Sequence, residues 1–390
     1  MDIPPEYHER EQSYLKHRVL QEYLALWGRK IGSLSKRGPV TLWYVDCFAG
    51  PWRNKDDDLT DTSIHIGLSA LEEAGRIWRE NGHDVRLRAV FVESDPKAYR
   101  RLEEYLRTRE GEVKTHPFQG EFGSHVDGIS TLLGDDPAFI FVDPTGFKGV
   151  AMDYIRPLLE ARMREVLVNV MFNHINRFKD DSRAFLRAQM KAFFGLSEGS
   201  LAPGLSEVAL LQTYRKNLKA RCHLEVAADL AVPHPTKKRT WFRLVIGGKH
   251  REVIKVFREV EARVMGREAS SVRKAAQERK VERETGQISL FVGQGEAERD
   301  PWYARENEED QVGVIEDLLG YLRTSGPVQY GSLWPMLLEE RHVTESELGR
   351  LVVAADKEGR LVIEPPKPRR RKAQDDDFLV LVETCRPRRP

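Results

Sequence analysis

The pattern that most constrains this chain is a set of short, apolar, β-branched runs separated by stretches of helical period. TLWYVDC (41–47), LRAVFVES (87–94), AFIFVD (138–143) and EVLVNVMF (165–172) are too uniformly apolar to alternate between core and solvent. Strands of that kind belong to parallel sheets covered on both faces. Between them, SIHIGLSALEEAGRIWRE (63–80), Pro96 to Arg107 and MDYIRPLLEA (152–161) read as helices, the second with proline in its first turn. EVKTHPF (112–118) is a weaker strand. Strands alternating with helices predict an α/β fold with a doubly wound, Rossmann-like parallel sheet.

The flanking segments extend this unit. Residues 8–30 form one amphipathic helix, with Tyr14, Leu15, Val19, Leu20, Tyr23, Leu24 and Trp27 at helical spacing before LSKRGP breaks it. The span 182–220 is helical, CHLEVAADL (222–230) and TWFRLVIGG (240–248) are two closing strands, and Glu252–Met265 is a last helix. Residues 266–306 are charged and poor in large apolar side chains, which suits a solvated helix or a linker. They separate a domain at 1–265 from one at 307–390. In the latter, DQVGVIEDLLGYLRTSG, SLWPMLLEE and TESELGRLVVAADKEG are three helices, the third with a Thr344–Glu347 capping box and a Gly359 stop. RLVIE (360–364) and FLVLVE (378–383) then pair across a basic loop, giving a winged-helix order.

Charge excludes a global attraction to nucleic acid: 62 Lys and Arg face 61 Asp and Glu, a net charge of +1. Any such contact must be local. Cys47, Cys222 and Cys385 stand far apart, which fits a reducing compartment better than a disulfide framework. The N-terminus lacks an apolar signal core, and no run of ~18 apolar residues occurs. A soluble, cytoplasmic protein with no membrane partner is expected.

Three strand ends carry chemistry. The first, Asp46-Cys47-Phe48-Ala49-Gly50-Pro51, is a small-residue turn through which backbone amides can approach a ligand, with an acid placed for an ammonium group or hydroxyls. The alternative is an ordinary strand-to-helix turn. The second ends in Val92-Glu93-Ser94-Asp95, where Glu93 suits paired ribose hydroxyls and Asp95 suits a helix cap. The third reads Asp143-Pro144-Thr145-Gly146-Phe147. Its carboxylate and a carbonyl held by proline would align the hydrogens of an exocyclic amine, and Phe147 would stack on a flipped base. A structural Asp-Pro turn is the plainer reading. On the N-terminal helix, the Lys16-His17 pair either folds over a cofactor carboxylate or faces solvent. Asn173-His174-Ile175-Asn176-Arg177 follows the fifth strand at the same edge of the sheet, a position that lines the same cleft. In the C-terminal loop, Lys367, Arg369, Arg370, Arg371 and Lys372 are placed for phosphates, although Asp375, Asp376 and Asp377 follow at once. His8, His125, His174 and His250 show no ligand spacing, so no metal is expected.

HRVLQEYLALW, YVDCFAGPW, VFVESD and FVDPTGF together resemble the three-Cys-motif partner family, TcmP, over roughly residues 8–265. That resemblance implies a bacterial protein with a class I methyltransferase-type fold, and a partner that is a three-Cys-motif protein resembling radical S-adenosylmethionine enzymes. The opening is also similar to the adenine-N6 methyltransferases of large-subunit ribosomal RNA, whose Lys-His pair, strand-ending Asp and Asp-Pro match Lys16-His17, Asp46 and Asp143-Pro144. Their following Pro-Tyr is Thr145-Gly146 here. The two resemblances imply S-adenosylmethionine as cofactor, held by Lys16, His17, Asp46, Phe48, Gly50 and Glu93. They imply nucleic acid as substrate at Asp143, Pro144 and Phe147, or else a non-catalytic binding partner.

Overall fold

The computed structural model describes residues 3–8, 10–50, 59–171, 175, 177–178, 181–196, 201, 204–234, 236–237, 239–285 and 301–382. The chain forms two compact units, 1–298 and 299–390.

The first unit is built on a seven-stranded sheet. Its strands are β1 (Val40–Asp46), β2 (Val85–Glu93), β3 (Lys114–Gln119), β4 (Ala138–Val142), β5 (Arg164–Val170), β6 (Val226–Pro233) and β7 (Thr240–Gly248). They lie in the order β3-β2-β1-β4-β5-β7-β6, with β7 antiparallel to both neighbours and the first five parallel. That order makes the sheet Rossmann-like, of the class I methyltransferase type. Its central strands are apolar throughout because both faces are covered. β4 is buried at every residue.

One face is covered by α1 (Glu11–Gly32), α2 (Ser63–Glu80) and α8 (Glu252–Arg263). α1 lays Tyr23 and Trp27 against Phe139 of β4, with ring centroids 5.4 and 6.1 Å apart. Gly28 lets α1 and α2 approach closely, since a Cβ there would lie 2.5 Å from that of Ala74. The other face packs against α4 (Val126–Leu133), α5 (Met152–Ile155), α6 (Ala184–Phe193) and α7 (Glu207–Cys222). α3 (Pro96–Thr108) lies beside β2 and β3. Burying Arg164 at 2% exposure is tolerated because its guanidinium donates to the carbonyls of Asp136, Leu158 and Gly134 at 2.7–2.9 Å.

After α8 a π-turn (264–268) leads into α9 (Ala269–Thr285). The first half of the charged 266–306 stretch therefore packs into this unit. Ala269, Val272 and Ala276 are buried, Arg18 donates to both oxygens of Glu268 at 2.9 and 3.0 Å, and Arg279 pairs with Glu11 at 2.8 Å.

The second unit runs α10 (Pro301–Ser325), β8 (Val328–Gln329), α11 (Tyr330–Glu340), α12 (Glu345–Lys357), β9 (Leu361–Glu364) and β10 (Phe378–Leu381). Its antiparallel sheet has the order β8-β10-β9, so a short strand that the sequence did not suggest completes the hairpin. The Thr344–Glu347 capping box is present, and Gly359 has φ 70°. No helix among the described residues is long and apolar enough to cross a membrane.

Candidate active site at the carboxyl edge of the sheet

β1, β2 and β4 are adjacent and parallel, so their ends deliver Asp46, Glu93 and Asp143 to one rim. Asp46 is in register with Phe91 and Phe141, and Glu93 and Asp143 each lie two residues beyond. The turn after β1 is stitched to both neighbours: Cys47 N–H donates to Phe141 O at 2.9 Å and Ala49 N–H to Val92 O at 2.8 Å. Phe48 packs on Phe122, with centroids 5.7 Å apart. At Gly50 a Cβ would sit 1.8 Å from Oε2 of Glu93, so the missing side chain leaves room for the carboxylate in the position it takes here.

The acids differ in what they offer. Asp46 is fully buried. Ser63 Oγ donates to its Oδ2 at 2.6 Å, Phe48 N–H to its Oδ1 at 3.1 Å, and the Tyr44 hydroxyl stands 3.4 Å from Oδ2. Burial pushes its carboxyl up to about 6 despite the Ser63 and Phe48 donors. Asp46 therefore does not present an oxygen to a ligand ammonium, as the sequence suggested. It shapes the turn and the start of α2. Glu93 is 5% exposed, and burial raises its pKa. Its Oε1 accepts from Asp95 N–H at 2.6 Å, while Asp95 caps α3 by accepting from Lys97 and Ala98 N–H at 2.9 and 2.8 Å. The expected Asp95 cap is thus present, directly beside the Glu93 carboxylate.

Asp143 forms the third corner. Lys16 Nζ, reaching down from α1, bonds its Oδ2, and Asn169 Nδ2 donates to its Oδ1 at 2.6 Å. Lys16 is thus anchored on the fourth-strand acid rather than left free for a cofactor carboxylate. His17 turns aside to the Tyr7 hydroxyl at 3.0 Å from Nδ1, and burial, with Lys16 and Arg10 nearby, holds its pKa well below the usual histidine range. Pro144 is buried and Thr145 exposed. Phe147 is 6% exposed, packed in the core with its ring edge-on to Phe178 at 6.1 Å. A ring so enclosed offers no face to a flipped base, which corrects that expectation.

Asn169 was missed by the sequence reading. It is 3% exposed on β5, and its Oδ1 is buried with no hydrogen-bond partner among the described residues. The available signal was a lone amide inside the apolar run EVLVNVMF, where a polar group needs a partner. Pro51, Asn173, His174 and Asn176 lie outside the described residues.

The basic run of the second unit is partly neutralised by its own loop. Lys367 pairs with Asp377 at 3.1 Å, Arg370 pairs with Asp377 and donates to Pro365 O at 2.6 Å, and Lys372 pairs with Glu345 at 3.0 Å. Arg369 and Arg371 are exposed. Of the five cations placed for phosphate, two thus make no ion pair among the described residues, because Asp377 takes Lys367 and Arg370 while Glu345 takes Lys372.

No family model and no curated protein matches the chain. Solved structures similar to it include a protein from Legionella pneumophila, 10% identical, with TM-score 0.33, 63% of this chain and 91% of that one covered. Loganic acid methyltransferase with SAH is 8% identical, with TM-score 0.31 and coverages of 71% and 90%. The SAH-bound Podospora anserina methyltransferase is 15% identical, with TM-score 0.27 and coverages of 64% and 98%. Likenesses this loose transfer no residue roles, so the chemistry rests on the rim itself.

Proposed function

We propose that the first unit binds S-adenosylmethionine and directs its methyl group to an amine of a nucleic-acid base. The observation that carries this is the cradle at Gly50. A carboxylate at the second strand end lies in the space left by the missing side chain of Gly50, which suits an adenosine whose ribose hydroxyls need an acceptor and close backbone approach. Glu93 and the Phe48–Gly50 turn would hold the cofactor, with Asp46 fixing that turn from behind. Bound there, S-adenosylmethionine supplies an electrophilic methyl group. Asp143 and Asn169 supply the oxygens that orient an amine and hold its hydrogens, and Lys16 keeps Asp143 in place. Replacing Asp143 by Ala should abolish transfer of labelled methyl groups to RNA or DNA while cofactor affinity stays within about threefold. Retained transfer would remove Asp143 from the reaction.

One observation favours a second reading. Both oxygens of Asp143 are already engaged, by Lys16 and Asn169. A methyltransferase-shaped module that recognises nucleic acid, or docks on a three-Cys-motif protein, without catalysis of its own would show such a closed acid. Calorimetry separates the two: no S-adenosylmethionine binding at millimolar ligand supports the adaptor. We read the second unit as a winged helix whose Arg369 and Arg371 meet phosphates in either case.

A further inference from the structure

At the edge of the sheet opposite the acids, the first unit contains a cavity of about 200 Å³ that the methyl-transfer reading does not use. Glu165, near the start of β5, pairs in register with Gly248 at the end of β7, and Lys249 and His250 follow. The second half of α1 roofs this corner with Tyr23, Trp27 and Ile31, continuing to Leu34, and α8 closes it with Val253 and Val256. Most of the wall is apolar.

Its polar groups are ordered by depth. Inside, the Tyr23 hydroxyl donates to Glu165 Oε2 at 2.7 Å. Trp27, 2% exposed, lines the cavity beside it. Burial pushes the Glu165 carboxyl up to about 7, so near neutrality much of the inner negative charge is absent. Exposed Lys30 and Arg162, with Lys249, line the outer part. Lys30 is paired with Glu252 at 2.7 Å and Lys249 donates to Glu160 O at 2.6 Å, whereas Arg162 makes no ion pair among the described residues. An apolar chamber with an aromatic wall and the Arg162 cation at its outer part matches an amphipathic anion.

We propose that this cavity is a binding site for a small aromatic carboxylate, its ring between Trp27 and the valines of α8, its carboxylate against Arg162. The site is independent of the rim acids and would stand if no methyl transfer occurred. The test titrates quinoline-6-carboxylate into the full chain by calorimetry, without cofactor. Saturable 1:1 binding is expected. It should be weakened at least tenfold by the exposed Arg162→Glu substitution, and at least tenfold for neutral 6-methylquinoline. Val256→Phe, which fills the chamber, should abolish binding without lowering the melting temperature by more than a few degrees. Should that variant fail to fold, Arg162→Glu and the neutral analogue still decide. Absence of saturable binding at millimolar probe, or equal affinity for the neutral ring, would overturn the proposal.

Discussion

Gly50 and Glu93 illustrate how one missing methyl group sets the site. A Cβ on residue 50 would overlap the Glu93 carboxylate, so Gly50→Ala must displace one of them. Overpacking of this sort destabilises by ~1–3 kcal/mol. The cost should largely vanish in a Glu93→Ala background, and urea unfolding of the four proteins in that cycle measures the coupling. Cofactor affinity should drop at least tenfold in both single variants. Asp46 poses a different test. Its folded pKa lies above the usual 3.8, so the native state holds the proton more tightly than the unfolded chain. Stability from this group is full below about pH 4 and is lost as pH rises toward 6, a loss of ~3 kcal/mol at ~1.4 kcal/mol per unit. Glu165, pushed up to about 7, contributes a slope of the same sign, so the informative quantity is the difference between Asp46→Asn and wild type. The unfolding midpoint of Asp46→Asn should fall less between pH 4.5 and 7. Parallel profiles would show that Asp46 is not the titrating group. At this scale the acids could be read from the sequence because each closes an apolar run. Their orientation could not, since the donors on Asp46 come from Tyr44, Phe48 and Ser63, and the partners of Asp143 from residues 127 positions before and 26 after it.

Among the elements, the buried strands announce themselves because two covered faces demand apolar residues at every position, as in β4. α4 escaped notice because it is only eight residues long and contains Gly128. α9 was read as a solvated helix or linker for a related reason. It buries only Ala269, Val272 and Ala276, small side chains that hardly register as an apolar stripe, and its attachment to α1 is largely ionic. That attachment can be measured. Arg18 donates to both oxygens of Glu268 and also meets Glu22 at 2.9 Å, in a partly buried setting. Removing such charge-assisted bonds leaves a nearly buried carboxylate without its main partner. Arg18→Ala should therefore destabilise the first unit by about 2 kcal/mol, and Arg18→Ala with Glu268→Ala should be less than additive. Additive losses would mean that the pair does not hold the π-turn leading into α9 to α1.

For the whole molecule, charge distribution decides more than total charge. With 62 cations against 61 anions, no long-range field gathers a polyanion. Most of the described basic side chains that look available in the sequence are committed: Lys16 to Asp143, Lys367 and Arg370 to Asp377, Lys372 to Glu345. The sequence shows both the basic run and the aspartates behind it, but only the fold shows that Asp377 is fully buried and draws two of the five cations inward. Exposed in that loop and without an ion pair among the described residues are Arg369 and Arg371, which sets the size of the electrostatic signature expected from the loop. Each phosphate contact on a single strand contributes about 0.7 to the slope of log affinity against log salt. For the full chain binding a single-stranded RNA of about 20 nucleotides, replacing both arginines by alanine should therefore shallow that slope by roughly 1.4 and weaken binding at low salt far more than at high salt. An unchanged slope would place the polyanion elsewhere on the protein. A larger change would mean that Lys367 or Lys372 leaves its carboxylate on binding, because two side chains cannot neutralise more than two phosphates.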